Sequence, residues 1–254
     1  MRVFALSDVH FDYEVNAIWV GELSNFDYRD DALILAGDVT HKLSQLASCL
    51  RALVARFKKV LFVPGNHDLW VLGEGPNKTS LQKFAEVATT VEVSGASMQP
   101  FWTGHVLIAP LLGWYDYSFG QPTDKLREIW MDYRACRWPE HFGPQEVASH
   151  FTALNRQRAP GAAAARVITF SHFMPRLDLL PAFVPSRHRV LDPVLGSIRL
   201  ERSLRELSST LHVYGHSHIN RRVCIDGVTY VNNALGYPGE AGMTARKLLC
   251  VAEI

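Results

Sequence analysis

Five times in this chain a short apolar run ends on a small cluster of Asp, Asn, Ser or His. Val3-Phe4-Ala5-Leu6 leads to Asp8-Val9-His10, and Ala32-Leu33-Ile34-Leu35-Ala36 leads to Gly37-Asp38. Val60-Leu61-Phe62-Val63 precedes Gly65-Asn66-His67-Asp68, and Val167-Ile168-Thr169-Phe170 precedes Ser171-His172. Leu211-His212-Val213-Tyr214 runs into Gly215-His216-Ser217-His218. Short apolar runs bounded by Gly or Pro read as buried strands. Each polar cluster therefore sits just past the carboxyl end of a strand, the edge where open α/β sheets place their sites.

Between the first three clusters the chain has room for one helix each time. Asp8, Asp38 and Asn66 are 30 and 28 residues apart, the length of a βαβ unit, so the three should stand side by side on a parallel sheet. A helix is expected over Val15–Ser24. A second carries the stripe Leu43, Leu46, Ala47, Leu50, Leu53, Val54 and Phe57, spaced as one helical face. Residues 110–144 are rich in aromatics and read as an insert of loops and helices over the site. A helix is expected from Pro144 to Arg158, ending before Pro160-Gly161, and Ala162–Ala165 reads as a short connector. Pro175, Pro181, Pro185 and Pro193 rule out a continuous helix in 173–195, which reads as a structured loop. Strands are expected at 211–214, 220–225 and 228–232, with Asp226-Gly227 as a hairpin turn. With no repeat, low-complexity tract or linker, residues 1–254 read as one domain.

Bulk composition narrows the function classes. Lys+Arg number 26 against 25 Asp+Glu, so there is no global charge to hold nucleic acid or an anionic membrane. No apolar stretch reaches the roughly 18 residues of a membrane span. Cys49, Cys136, Cys224 and Cys250 form no C-x-x-C pair, which argues against a thiolate zinc site and for reduced, mostly buried thiols in a cytoplasmic protein. Met1-Arg2 leads directly into the first apolar run, with no signal peptide in between.

A donor set of Asp, His and Asn without Cys suits Mn, Fe or Zn. Two such ions about 3.5–4 Å apart need a bridging carboxylate and can acidify water for in-line attack on phosphorus. Singly, each cluster is weak evidence, and Gly-Asn-His-Asp is the sharpest. All five, in this order and at strand ends, leave little to chance.

That order (D-x-H, G-D, G-N-H-D/E, a lone His, G-H-x-H) resembles the calcineurin-like metallophosphoesterase superfamily, from Asp8 to His218. The resemblance implies a four-layer αββα sandwich of two mixed sheets, with the metal site at the carboxyl ends of the strands. It implies that Asp8, His10 and His218 hold a first metal, that Asn66, His172 and His216 hold a second, and that Asp38 bridges them. His67 is then the catalytic histidine, which contacts the phosphate and assists the leaving group. Its neighbour Asp68 should point elsewhere and serve structure. The implied reaction is phosphoester hydrolysis by a metal-bound hydroxide, with Mn or Fe favoured as the two divalent ions and Zn also fitting. Protein Ser/Thr phosphatases of this fold carry an Arg after the second cluster, where this chain reads Gly37-Asp38-Val39-Thr40-His41-Lys42. A phosphoprotein substrate is therefore disfavoured. Segments 62–70, 115–119, 213–219 and 236–238 are similar to phosphopantetheine hydrolase-type members, for which an acyl carrier protein is the partner. Residues 173–205 do not share this likeness.

Around the site, Arg176 and Arg187-His188-Arg189 are candidates to grip a phosphate, set against solvated loop charges. Trp114, Tyr115 and Tyr117 are candidates to line a pocket, set against packing within the insert. Trp70 is expected in the core rather than on a site wall. His41, His105, His141, His150 and His212 are expected to be surface or satisfied core residues. The leading function is a phosphodiesterase, with a small-molecule phosphomonoesterase as its alternative. From other classes come a catalytically retired metal-binding scaffold and a nuclease. The complete ligand set argues against the scaffold, and the flat charge argues against the nuclease.

Overall fold

Strand–helix alternation at the start of the chain builds the first of two sheets. In the computed structural model, residues 1–157, 165–240 and 242–254 are described. The elements are β1 (Arg2–Leu6), α1 (Glu14–Glu22), β2 (Ala32–Leu35), α2 (Leu43–Val54), β3 (Lys59–Phe62), α3 (Ser80–Val93), β4 (Phe101–Thr103), β5 (Val106–Pro110), α4 (Asp124–Ile129), α5 (Asp132–Ala135), α6 (Pro144–Gln157), β6 (Arg166–Phe170), α7 (Ile198–Glu206), β7 (Leu211–Tyr214), β8 (Arg221–Ile225), β9 (Val228–Asn232) and β10 (Leu249–Glu253). The connector expected at Ala162–Ala165 lies outside the described residues except for Ala165, as does the break at Pro160-Gly161.

The first sheet has the order β10-β1-β2-β3. β1, β2 and β3 run parallel, with Leu6, Leu35 and Phe62 level with one another. That register delivers the Asp8, Asp38 and Asn66 loops to one edge. All four β2 residues are buried, as expected of a parallel strand covered on both faces. α2 turns Leu46, Cys49, Leu50 and Leu53 inward, and Phe57 is buried just beyond it.

The second sheet has the order β4-β5-β6-β7-β9-β8, parallel in its centre and antiparallel at both edges. Its two faces separate cleanly. Ile108 and Ile168 join the main core, whereas Leu107, Ala109 and Val167 form a second cluster against Leu207 at the end of α7. Apolar contacts on both faces of a mixed sheet make this the αββα sandwich, with helices outside the two sheets. The sheets meet at a seam where Ser7 pairs with Ala234, which brings the end of β1 beside the ends of β7 and β9.

Three strands, β4, β5 and β10, were not among the runs that announce a polar cluster, because none of them precedes one. β10 instead closes the edge of β1 antiparallel. The Pro-rich loop folds as 3-10 turns at Leu177–Leu179 and Ser186–Val194. Of the cysteines only Cys49 is fully buried, and Cys224 is exposed, so "mostly buried" overstated their burial. His212 is a satisfied core histidine between the hydroxyls of Thr169 and Ser171, at 2.8 and 3.0 Å. No helix among the described residues is long and apolar enough to cross a membrane.

Two glycines separate backbone strain from packing. Gly227 has φ +78° and Gly37 has φ +82°. A Cβ on Gly227 would meet nothing, while one on Gly37 would lie 2.7 Å from Gly65 N and His172 Nδ1. Urea unfolding should show Gly227→Ala losing about 1–2 kcal/mol from the left-handed backbone alone. Gly37→Ala should lose about 3 kcal/mol or more, since overpacking adds to the same strain. Equal losses would mean that the Gly37 turn is not packed this tightly.

Candidate metal centre

Five of the expected ligands sit on left-handed backbone: Asp8 (φ 51°), His10 (44°), Asp38 (54°), His216 (69°) and His218 (50°). Non-glycine residues rarely adopt that region, and when they cluster there the surroundings must hold them. Asp68 is one such support. Its buried carboxylate accepts the backbone N–H groups of Gly65 (2.8 Å), Asp38 (2.9 Å), Val39 (3.0 Å) and Thr40 (3.0 Å). It ties the loop after β2 to the loop after β3 and points away from the ligands, in the structural role expected of it. Burial pushes its carboxyl up to about 6, and the four N–H donors oppose that rise. Gly65 is required here because a Cβ would fall on the Asp38 carboxylate.

Two groups of ligand atoms result. Asp8, His10 and His218 converge in one, and Asp38, His172 and His216 in the other, with the atoms of each group within 4.8 Å of one another. Asn66 belongs beside the second, with its Oδ1 3.1 Å from His172 Nε2.

Hydrogen-bond direction tests whether a cation fits. The second nitrogen of each ring in the second group faces a carbonyl, which can only accept. His172 Nδ1 meets Ala36 O at 2.9 Å and His216 Nε2 meets Val194 O at 3.0 Å, so each of these nitrogens carries the hydrogen. Burial first, with neighbouring imidazoles, pushes both rings below the usual histidine range and keeps them neutral. The remaining nitrogens, His172 Nε2 and His216 Nδ1, are then bare lone pairs 3.0 Å apart. Asn66 donates its Nδ2 to Asp132 Oδ1 at 2.9 Å, so its oxygen also faces His172 as an acceptor. Three acceptors pointing at one another in a buried space fit a cation.

In the first group His218 already supplies a donor, with its Nε2 3.2 Å from His10 Nε2. His10 is pushed down to about 3, first by burial and then by the charge of His218. His218 is raised to about 10: burial opposes this, but the Asp8 and Glu240 carboxylates outweigh it. Its Nδ1 meets Glu240 Oε2 at 2.6 Å and its Nε2 lies 3.3 Å from Asp8 Oδ1. Asp8 is held below the carboxylate range by these imidazoles despite its burial. Asp38 is pushed well above it, by burial first and then by the charges of Asp68 and Asp8. Positive charge between these carboxylates would relieve both groups.

His67 stands apart from both groups. Its ring stacks on Trp70 with centroids 3.7 Å apart, its backbone N–H donates to Asp38 Oδ1 at 2.9 Å, and its Nε2 lies 3.4 Å from the Tyr237 hydroxyl. Burial, then the neighbouring imidazoles, keep it neutral. A cavity of about 320 Å³ opens over it. Asp38, Asn66, His67, His216 and His218 form its polar floor, and Ile129, Trp130, Met131, Leu191, Leu195 and Trp70 form its apolar wall. Ile129, Trp130 and Met131 come from the aromatic insert, Leu191 and Leu195 from the Pro-rich loop, and Trp70 from the turn after β3.

Other expectations about the rim are corrected. Trp70 is a site wall, not core, because its indole N–H anchors to Asp132 at 2.7 Å and turns the ring onto His67. Tyr115 is buried within the insert, and Tyr117 pairs with the Tyr133 hydroxyl at 2.9 Å. Neither is among the residues lining the cavity. Arg176 is not there either. Its guanidinium is taken by Asp178 (3.0 and 2.8 Å), Asp226 (2.7 Å) and Glu201 (3.4 Å). Three site residues escaped the sequence reading: Asp132, Glu240 and Tyr237. Only Tyr237 had a signal, its place in the Gly236-Tyr237-Pro238 likeness.

The calcineurin-like phosphoesterase family profile matches residues 1–220. Among curated proteins, the acyl-carrier-protein phosphodiesterase PptH of Mycobacterium tuberculosis is 26% identical over 264 aligned positions, covering 94% of this chain and 78% of the relative. The crystal structure of the phosphopantetheinyl hydrolase from Mycobacterium tuberculosis superposes with a TM-score of 0.76 at 24% identity, covering 94% of this chain and 90% of that one. TT1561 of Thermus thermophilus gives a TM-score of 0.54 at 18% identity, covering 98% and 97%. With that profile spanning most of its length, the chain belongs to the calcineurin-like phosphoesterase family and is a phosphohydrolase.

Proposed function

We propose that this protein is a two-metal phosphodiesterase whose substrate carries an extended, uncharged arm, with 4′-phosphopantetheine on an acyl carrier protein as the leading candidate. The carrying observation is the cavity wall. Among the described residues lining it there is no Lys or Arg, and Glu240 adds a carboxylate. A phosphomonoester brings a charge of about −1.5 to −2 at pH 7, which proteins commonly meet with guanidinium forks. A diester brings a single negative charge, and apolar surface suits the arm attached to it. The relative named acyl-carrier-protein phosphodiesterase agrees with this reading.

In this reading Asp8, His10 and His218 would hold one divalent ion and Asn66, His172 and His216 the other, and Asp38 would serve both. The donors suit Mn or Fe, and also Zn. Two such ions supply Lewis-acid polarisation of the phosphoryl group and acidify water at neutral pH. His67, held neutral and flat against Trp70, faces the phosphate. The approaching negative charge favours its protonation, so that it can pass a proton to the leaving oxygen. Tyr237 stays a neutral phenol, since burial and then Asp38 push it far above its usual range, and it can donate to a phosphoryl oxygen. Ile129, Trp130, Leu191 and Leu195 flank the arm. The four unpaired thiols fit the cytoplasmic location expected for such a substrate.

Elemental analysis after Mn²⁺ loading and desalting should find about two ions per chain. Asp38→Asn should abolish turnover more completely than Asp8→Asn, because it serves both ions; near-normal turnover of Asp38→Asn would exclude the bridge.

His67→Ala should keep both ions and lose roughly 10²–10⁴-fold in rate, less for substrates with good leaving groups. Loss of metal in this variant would contradict its place outside the ligand set.

Given bis-aryl and mono-aryl phosphates, cyclic nucleotides and a holo carrier protein, the Mn²⁺-loaded enzyme should cleave diesters and release the prosthetic arm. Cleavage of the monoester alone would leave a phosphomonoesterase.

A further inference from the structure

Asp132 opens α5, in the insert, 66 residues from Asn66 in sequence. It is 2% exposed, yet no cationic side chain pairs with it among the described contacts. Its carboxylate is met by neutral donors instead. Oδ1 accepts Asn66 Nδ2 at 2.9 Å and Trp70 Nε1 at 2.7 Å, and Oδ2 accepts Trp130 Nε1 at 2.9 Å. A carboxylate offers about four acceptor positions, and these three donors take most of them.

Each donor leads to a different part of the site. Asn66 presents its oxygen to the second ligand group only while its NH₂ has an acceptor on the other side, because an amide can otherwise turn over. Trp70 is the face on which His67 stacks, 27° from parallel. Trp130 stands edge-on to His216, with ring centroids 5.8 Å apart, and it lines the cavity.

We propose that Asp132 is a positioning residue through which the insert sets the second metal group: one carboxylate holds the ligand amide of Asn66, the stacking plane of His67 and the wall residue Trp130 in register. The insert is then part of the metal centre and not only a cover, so contacts that shift α5 change metal affinity as well as substrate access. An asparagine at this position keeps the shape but turns one acceptor oxygen into a donor NH₂ facing donors. This inference rests on the two-metal reading above.

The test is calorimetric titration of Mn²⁺ into wild type and Asp132→Asn, with near-ultraviolet circular dichroism recording tryptophan packing. The first ion should bind both proteins alike. The second should bind Asp132→Asn about 10–100-fold more weakly, the range for losing a hydrogen-bond partner of a metal ligand. The tryptophan signal should change through Trp70 and Trp130. Should Asp132→Asn not fold, the Trp130→Phe variant removes one donor and leaves the charge in place, and it should weaken the second ion by a smaller factor. Lowered thermal stability with both ions bound at wild-type affinity, in whichever variant folds, overturns the proposal and leaves Asp132 as packing. A wild type that takes up only one ion overturns it together with the two-metal reading. A wild type that binds two ions but cleaves no diester sinks the substrate reading and leaves the role of Asp132 standing.

Discussion

The rings of His172 and His216 approach with nitrogens 3.0 Å apart while their other nitrogens already donate to Ala36 O and Val194 O. Two neutral imidazoles held this way present lone pair to lone pair, with the oxygen of Asn66 as a third acceptor. Apolar packing gains nothing from such an arrangement, and an unmatched buried acceptor costs about 1–3 kcal/mol. The surrounding structure is organised to impose it. Left-handed backbone at five ligands, glycines at 37 and 65, and the Asp68 carboxylate bound to four backbone N–H groups all hold the loops where the lone pairs meet. Buried Asp8 and Asp68 add negative charge that, after burial itself, holds Asp38 well above the usual carboxylate range. Divalent ions resolve both conflicts together.

How much of this was legible in the sequence depended on distance along the chain. The five clusters are local: an apolar strand, a turn and a polar tip lie within a few residues, so the strand ends and the ligands could be read together. The Asp226-Gly227 hairpin was legible for the same reason, and both residues have positive φ. Asp68 was separable from His67 because neighbours on one turn diverge. Glu240 and Asp132 were not legible. Glu240 reaches His218 across 22 residues and Asp132 reaches Asn66 across 66, and nothing in their local patterns marks a carboxylate that will be buried. Trp70 was misread because core packing is the usual place of a large ring; its role depends on an indole N–H whose acceptor lies in the insert. Arg176 looked free in sequence, but Glu201 and Asp226 from two distant segments join Asp178 of its own loop in holding it. Strands β4, β5 and β10 carry no polar tip and were passed over for that reason.

The sheets and the insert divide the work. Strand ends provide the donors, and the parallel register of β1, β2 and β3 sets their spacing. The insert and the Pro-rich loop provide the apolar half of the cavity, with Ile129, Trp130 and Met131 from one and Leu191 and Leu195 from the other. A family scaffold can keep the first part while varying the second, so substrate choice is best sought in the wall. Here the described residues of the wall are apolar and include no Lys or Arg, and the proposed substrate rests on that feature.

The most direct measurement is anomalous diffraction from crystals of the protein soaked in Mn²⁺, because it locates the ions without reference to any substrate. Two peaks should appear, one among Asp8, His10 and His218 and one among Asn66, His172 and His216, with the Asp38 carboxylate between them. A single peak, or no density between the facing nitrogens of His172 and His216, would contradict the account.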